Sequence, residues 1–190
     1  PKVDGQLEDW QGAQAVSITR FAGGKITRIG SAWFASDAKN LYVAVEVEDA
    51  KHALSPDSKS RANANPPSDT VVIGIDPLID GASAAKGGYK DDDMEYTLVG
   101  ADAGAVVLKT SAGGKALEQE TKLPVAFKRT GSKSVYEAAI PWTELKAFKP
   151  GAGKMVAVGV MVNDSDGKAV TSYVFGGGLG ASVDPRLFVP

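Results

Sequence analysis

The chain has 190 residues, of which 43% are hydrophobic and 23% charged, and its formal net charge is −2. This length and composition predict one soluble globular domain, spanning residues 1–190, with a single substantial core. The basic residues are scattered, so neither a nucleic-acid-binding face nor an anionic-lipid-binding face is indicated. The chain has no cysteine, which excludes disulfides, thiolate nucleophiles and cysteine-ligated zinc.

Alternation of apolar and polar residues predicts β-strands along most of the chain. In Leu41–Glu48 every odd-numbered residue is aliphatic, which is typical of a strand with one solvent-facing side. Met155–Val162 is apolar on both faces, which predicts a central strand, and it is too short to span a bilayer. The other predicted strands are Ile29–Phe34, Thr70–Asp76, Glu95–Val99, Ala105–Lys109, Leu123–Lys128, Val135–Ile140 and Val170–Phe175.

Only Pro141–Phe148 predicts a helical turn, because a proline suits the first turn and Pro150-Gly151 ends it. Roughly nine or ten short strands with closely spaced turn residues predict an all-β fold. We expect an antiparallel β-sandwich of jelly-roll or immunoglobulin-like form. The three tryptophans, Trp10, Trp33 and Trp142, are predicted to pack in its core.

Acidic residues concentrate in the segment Pro66–Tyr96, where Asp91, Asp92 and Asp93 are adjacent. Neighbouring carboxylates resist burial unless a cation or hydrogen-bond donors compensate them. Calcium prefers six to eight hard oxygen ligands. We therefore predict a calcium site at these aspartates, with Asp49 and Asp69 as further ligands from strand ends. The alternative is that Asp91 and Asp92 are solvated turn residues.

The long loop His52–Ser68 carries no strand or helix pattern. Unstructured loops of this length are uncommon in compact domains and often have a function. A role in ligand binding and an excursion without a role both remain open for this loop.

Several landmarks follow one another in an order that resembles carbohydrate-binding module family 9, within the wider DOMON-like group. The resemblance covers nearly the whole chain and implies a β-sandwich of secreted bacterial polysaccharide-active proteins. It also implies structural calcium, with Asp49 and Asp93 at recurrent acidic positions, and a sugar-chain end held between two aromatic rings. The landmarks are Val3–Trp10, Ala32–Phe34, Asn40–Ala44, Val47–Ala50, Ser68–Asp76, Asp92–Tyr96, Tyr136–Trp142, Val158–Asp164 and Asp184–Phe188.

The family's sugar-contacting positions are occupied by different residue types in this chain. The first clamping tryptophan corresponds to Pro66, the contacting glutamate to Val72 and the contacting arginine to Thr97. The second clamping tryptophan falls at or near Phe175 or Val183. The resemblance therefore implies an atypical site without the tryptophan clamp. Our candidate ligand-binding residues are Tyr89, Glu95, Thr97 and Phe175.

We expect a non-catalytic module that is secreted or periplasmic and binds a polysaccharide or oligosaccharide, alone or with other domains of a larger protein. No nucleophile elbow, phosphate loop or metalloprotease helix is present, although a carboxylate pair such as Asp76 with Glu95 stays open.

Two alternatives belong to other functional classes. The first is a protein-interaction domain with an apolar patch, and the second is haem ligation by His52 with a methionine. The patch would comprise Val72, Gly74, Thr97 and Val99, and the methionine would be Met94, Met155 or Met161.

Overall fold

The computed structural model describes residues 1–54, 68–81, 88–101, 104–112, 115–145, 148–166, 169–180 and 183–190. These residues are nearly all β, and helical structure is confined to short 3-10 turns such as Glu8–Trp10, Trp142–Glu144 and Pro185–Leu187. No described helix has the length and apolar character needed to cross a membrane. The eleven strands are β1 (Val16–Ala22), β2 (Lys25–Ser36), β3 (Asn40–Glu48), β4 (Thr70–Asp76), β5 (Met94–Ala101), β6 (Gly104–Ala112), β7 (Lys115–Thr121), β8 (Val125–Thr130), β9 (Lys133–Pro141), β10 (Ala157–Ser165) and β11 (Val170–Phe175).

All strands form one antiparallel sheet in the order β7-β6-β5-β4-β10-β11-β1-β2-β3-β9-β8. The sheet curls so that β8 at one end contacts β5 and β6 near the other end. One hydrophobic core fills the inside and includes Ile73, Tyr96, Val43 and Ile140, all fully buried. The predicted all-β sandwich is therefore confirmed.

The two halves of the sheet meet between β1 and β11. In the described residues this junction is the single pair Thr19↔Val174, next to a register shift between Ile18 and Thr19. Beyond it, residues 20–28 of the β1–β2 hairpin are exposed. Phe21 and Ile26 face each other on this hairpin and are 74% and 73% exposed.

The N-terminal segment is fixed to the sheet by a buried carboxylate. Glu137 in β9 is fully buried and accepts the indole N–H of Trp10 at 2.7 Å. It also accepts the backbone N–H groups of Asp4 and Gly5. Trp10 packs in the core as predicted.

The sequence pattern missed two strands and predicted too long a helical segment. β1 and β7 were not predicted because most of their residues face solvent and no apolar alternation marks them. In the described part of Pro141–Phe148, the helical structure is the 3-10 turn Trp142–Glu144, and Pro141 is still the last residue of β9. Met155–Val162 corresponds to β10, which is central as predicted, between β4 and β11.

After β11 the chain turns back across the sheet. We call residues 176–180 and 183–190 the C-terminal strap. It is tied to β10 by two hydrogen bonds between Val158 and Val189, each 2.8 Å long. The outer side of β10 is therefore covered by the chain itself, which explains why both faces of this strand are apolar.

Candidate functional site

The outer face of β4, β5 and β10 is the side turned away from the main core. Alternation along the three strands places Val72, Gly74, Glu95, Thr97 and Gly159 on this face. The strap crosses it, and Leu179 and Phe188 form a second apolar cluster with Val72 and Ala157. This face of the sheet is thus buried by the packing of the strap against it.

Two glycines make room for the strap. Gly74 and Gly159 are directly opposite each other in the β4–β10 register, under the ring of Phe188. A Cβ at Gly74 would lie 2.4 Å from Phe188 Cζ and 2.6 Å from Leu179 Cδ2. Real Cβ atoms essentially never show such short distances, so any larger residue at Gly74 would force the side chains of Phe188 and Leu179 to shift.

Polar side chains gather beside the strap at the edge of the same face. The phenol of Tyr89 donates a 2.6 Å hydrogen bond to Glu95 Oε2, and the hydroxyl of Thr110 donates to Oε1 at 3.0 Å. Thr110 also lies 3.4 Å from the hydroxyl of Thr97. The ring of Tyr89 packs against Phe188 with centroids 6.2 Å apart. Burial, and then the charge of Glu95, raise the pKa of Tyr89, so the phenol stays neutral and donates.

The structure brings three of the four candidate ligand residues together and separates the fourth. Tyr89, Glu95 and Thr97 belong to this hydrogen-bonded array, which we call the Tyr89–Glu95 array. Phe175 is opposite Val160 on the core side of the sheet and packs against Phe34. Phe175 therefore does not belong to this array, because the sequence pattern alone did not fix which side of β11 it occupies.

The apolar patch expected of an interaction domain is not exposed. Val72, Thr97 and Val99 are at most 3% exposed, and Gly74 is buried under Phe188. Pro66 and most of the loop 52–68 lie outside the described residues. The sequence also did not identify Thr110 as a site residue, because nothing in its local pattern marks it as a partner of Glu95.

An acidic loop adjoins the strap at the end of β4. Both carboxylate oxygens of Asp76 accept backbone N–H groups, from Leu78 and Ile79 on one side and Gly81 on the other. Ile79 has a φ of 54°, a left-handed conformation that is unusual for a β-branched residue. The hydrogen bonds to Asp76 hold this strained turn.

Four carboxylates converge where this loop meets the start of β5. Carboxylate oxygens of Asp76, Asp80 and Asp92 lie within 4.8 Å of one another, and Asp93 is fully buried beside them. Asp92 Oδ2 and Asp93 Oδ1 are buried without a hydrogen-bond partner among the described residues. Burial, followed by the charges of Asp76, Asp92 and Asp80, raises the pKa of Asp93 to about 7.

The ammonium group of Lys90 lies 3.0 Å from Asp80 Oδ2 and offsets part of this charge. A hard divalent cation fits the remaining carboxylates, because it would satisfy the unpartnered oxygens of Asp92 and Asp93. We call Asp76, Asp80, Asp92 and Asp93 the acidic loop cluster. Asp91 is exposed and does not belong to it. The sequence reasoning included Asp92 and Asp93 but missed Asp76 and Asp80, which lie before and three residues after Pro77, at the end of a strand.

The predicted ligands Asp49 and Asp69 lie elsewhere. Asp69 precedes the first residue of β4 and Asp76 is its last, so the two groups are roughly 20 Å apart along the strand. The prediction that they join Asp92 and Asp93 at one metal site is therefore wrong. A strand-end position does not tell from the sequence which end of the sheet it shares with other residues.

Asp69 instead forms a buried hydrogen-bonded cluster with His52. Asp69 Oδ1 accepts the N–H of Ser165 at 2.7 Å, and Oδ2 accepts the N–H of Ala53 at 2.7 Å. His52 Nδ1 lies 3.0 Å from Oδ2, while Nε2 lies 3.0 Å from the carbonyl oxygen of Gly100. Both ring nitrogens therefore contact acceptors, which favours the doubly protonated imidazolium. The hydrogen bond to Asp69 is the main cause of a raised His52 pKa.

Protein cations neutralise this second cluster. Arg129 donates to the carbonyl oxygen of Asp49 at 2.8 Å and lies 3.9 Å from its carboxylate. The enclosed space measures about 10 Å³, which is at the lower limit for one water molecule. Ligand atoms of Asp49, His52 and Asp69 lie within 4.8 Å of one another, and Arg129 offsets part of the carboxylate charge there. Both ring nitrogens of His52 are engaged in these hydrogen bonds, so in this arrangement neither faces an open position that a haem iron could take.

Comparison with known proteins agrees with this architecture. The model of the family described as "Carbohydrate family 9 binding domain-like" matches residues 3–176. A solved structure of a carbohydrate binding module family 9 from Caldicellulosiruptor kristjanssonii, in complex with cellotriose, superposes with a TM-score of 0.69 at 19% identity. The alignment covers 100% of this chain and 87% of that one. No curated protein matches the chain. With the family model matching nearly the whole sheet, this chain belongs to the carbohydrate family 9 binding domain-like family.

Proposed function

We propose that the chain is a non-catalytic carbohydrate-binding module that recognises a polysaccharide or oligosaccharide beside the strap. The Tyr89–Glu95 array carries this proposal, within a fold that also binds cellotriose in the Caldicellulosiruptor protein. We further propose that the module works in a secreted or periplasmic, polysaccharide-active bacterial protein, as the family resemblance implies.

The array offers what a sugar ring requires. Each carboxylate oxygen of Glu95 accepts one protein hydrogen bond and retains a lone pair for a sugar hydroxyl. The half-buried ring of Tyr89 supplies apolar surface for the C–H groups of a sugar. Val72 and Thr97, where the family has contacting residues, are buried and do not add to this surface. Recognition thus rests on a small, polar contact rather than on two tryptophans.

We propose that calcium bound by the acidic loop cluster stabilises this site. A Cβ at Gly81 would lie 3.0 Å from the backbone of Pro185 and Arg186, so the loop packs directly on the strap. The N–H of Gly88 also donates to the carbonyl oxygen of Val183 at 2.8 Å. Calcium that holds these carboxylates in place would therefore also stabilise the position of the strap, where Tyr89 packs against Phe188.

Affinity electrophoresis in gels that contain cellulose derivatives, xylan or β-glucan tests the proposal, followed by calorimetry with the matching oligosaccharide. We expect Tyr89→Phe and Glu95→Gln to weaken binding at least tenfold, because each removes a polar group of the array. Tyr173→Phe, a change of the same kind on β11, is the matched control. Absence of binding to every polysaccharide, or equal loss in the control, would refute the proposal. Release of reducing ends from any substrate would refute its non-catalytic part.

A further inference from the structure

A second concave surface lies at the β2–β3 turn, away from the strap. Two adjoining cavities of about 380 and 800 Å³ share Ala38, Trp142, Phe148 and Pro150 as lining residues. We call them together the Trp142 cleft. Most of the residues on its rim are exposed, so the cleft is accessible from solvent.

Trp142 is held rigidly in the middle of this cleft. Its indole N–H donates to the carbonyl oxygen of Asp37 at 2.8 Å, and its backbone N–H donates to the carbonyl oxygen of Lys39 at 2.9 Å. The ring of Phe148 lies beside it, with centroids 5.0 Å apart and planes tilted by 40°. Both rings are half-buried: they pack against the main core, as predicted for Trp142, and keep an accessible side. Because the two rings are already fixed and accessible, little side-chain entropy is lost when a sugar ring stacks on them.

The lining of the cleft is cationic, although the whole chain is weakly acidic. Lys39, Lys149 and Lys154 are exposed on its rim, and none of them forms an ion pair with a described residue. Asp37 is the one acidic residue in the lining of the two cavities. Its carboxylate already accepts the N–H groups of Lys39 and Asn40 and the hydroxyl of Tyr42. These hydrogen bonds lower the pKa of Asp37, so the carboxylate stays ionised and occupied.

We propose that the Trp142 cleft binds the interior of an acidic polysaccharide chain, with one sugar ring on the Trp142–Phe148 pair and neighbouring carboxylates at the lysines. The two adjoining cavities share the aromatic pair, so consecutive sugar rings of a continuous chain have room on either side of it. Asn40 and Thr143 provide polar side chains for hydroxyl groups along the same path. This second site does not depend on sugar binding beside the strap.

The test is an NMR titration of the whole domain with hexagalacturonate, using cellohexaose and an oligoglutamate of similar charge as comparison ligands. The chain has three tryptophans, so Trp142→Phe identifies the Trp142 indole signal by its disappearance. We expect hexagalacturonate to shift this signal and the amides of Lys39 and Asn40, while the buried Trp10 indole stays in place. Equal shifts with cellohexaose would overturn the acidic preference, equal shifts with oligoglutamate would overturn sugar recognition, and no shift would overturn the site.

Charge reversal tests the lysines without removing core-packed aromatic groups. Lys39→Glu combined with Lys149→Glu should weaken hexagalacturonate binding about tenfold, as expected for the loss of two exposed charge contacts. Lys25→Glu with Lys122→Glu changes the net charge equally at exposed positions outside the cleft and should leave binding unchanged. An equal loss in this control would contradict the proposal. Tyr89→Phe should bind hexagalacturonate in the Trp142 cleft as well as the wild type does. Loss of sugar binding beside the strap can therefore be distinguished from loss of binding in the cleft.

Discussion

The imidazole of His52 bridges the carboxylate of Asp69 and the carbonyl oxygen of Gly100, with 3.0 Å to each. It also stacks on the ring of Phe127 at a centroid distance of 5.2 Å. This contact joins the start of β4, the end of β5 and strand β8, which are distant in the sequence. Two hydrogen bonds from one cation therefore hold the curled sheet together at this end.

His52 should make stability depend on pH. Because its pKa is raised above the ordinary value of 6.5, its contribution is fully present below pH 6.5 and is lost as the pH rises through the folded-state pKa. We expect His52→Gln to lower the free energy of unfolding by about 2 kcal/mol at pH 5.5 and by less at pH 9. Urea titrations of both proteins at the two pH values measure this difference.

Other groups near His52 also titrate or carry charge. Asp49, Asp69, Arg129 and Asp164 face the same cluster, and burial raises the pKa of Asp164 to about 6. Asp164 is present in both proteins, so its own titration largely cancels in the comparison. A difference that stays constant from pH 5.5 to pH 9 would contradict the ionised pair.

Calcium should raise the melting temperature of the domain. At a concentration one hundred times the dissociation constant, binding to the native state adds about 2.7 kcal/mol, or roughly 5–10 °C for a chain of this size. Scanning calorimetry with calcium or with a chelator measures the change. Identical melting temperatures in the two conditions would exclude the site.

Asp93→Asn tests whether the buried carboxylate of Asp93 helps to bind calcium. In chelator at pH 8 this variant should melt higher than the wild type, because it removes a buried carboxylate oxygen that lacks a partner. With calcium it should show little of the wild-type increase. Asp91→Asn, at an exposed neighbour, is the control and should behave as the wild type.

The strap should be displaced by a single methyl group at Gly74. Gly74→Ala places a Cβ against Phe188 and Leu179, which we expect to cost about 1–3 kcal/mol through overpacking. Gly12→Ala, where no atom lies within 4 Å of the new Cβ, should be nearly neutral. Chemical denaturation measures stability, and the rate of limited proteolysis after Arg186 reports release of the strap. Equal behaviour of the two variants would show that the strap does not pack as described.

Glu137→Gln should destabilise the N-terminal segment. The glutamine oxygen replaces a carboxylate that accepts the Trp10 indole and two backbone N–H groups, and its NH₂ would face donors. We expect a loss of about 2 kcal/mol, measured by denaturation followed through tryptophan fluorescence. Glu46→Gln in β3, whose partner is the exposed Lys133, should lose well under half as much.

Much of the fold follows from the sequence because buried strands have strong periodicity. Leu41–Glu48 and Thr70–Asp76 match β3 and β4 closely, since each has a continuous apolar side. Beyond Ile18 the β1–β2 hairpin has no continuous apolar side. Its outer part therefore shows no strand pattern in the sequence and is recognised only from the strand pairing in the structure. Periodicity detects burial, so strands that face solvent escape it.

The candidate site was less predictable because it depends on contacts between distant segments. Asp92 and Asp93 were found from their adjacency, whereas Asp76 and Asp80 join them only after β4 and β5 pair. Phe175 was misplaced because a strand pattern does not say which face meets the core. Phe188 stood out as a landmark, but its position over Gly74 and Gly159 required the fold.

The projecting β1–β2 hairpin gives the molecule a mechanical lever. Its tip carries Phe21 and Ile26, and its base is the junction where Thr19 pairs with Val174. A pull on the tip loads this junction first, because every other pair of neighbouring strands has a longer ladder than the single pair between β1 and β11. Under tension the sheet should therefore separate between β1 and β11. The Tyr89–Glu95 array and the acidic loop cluster lie on the same side of this junction and should stay intact.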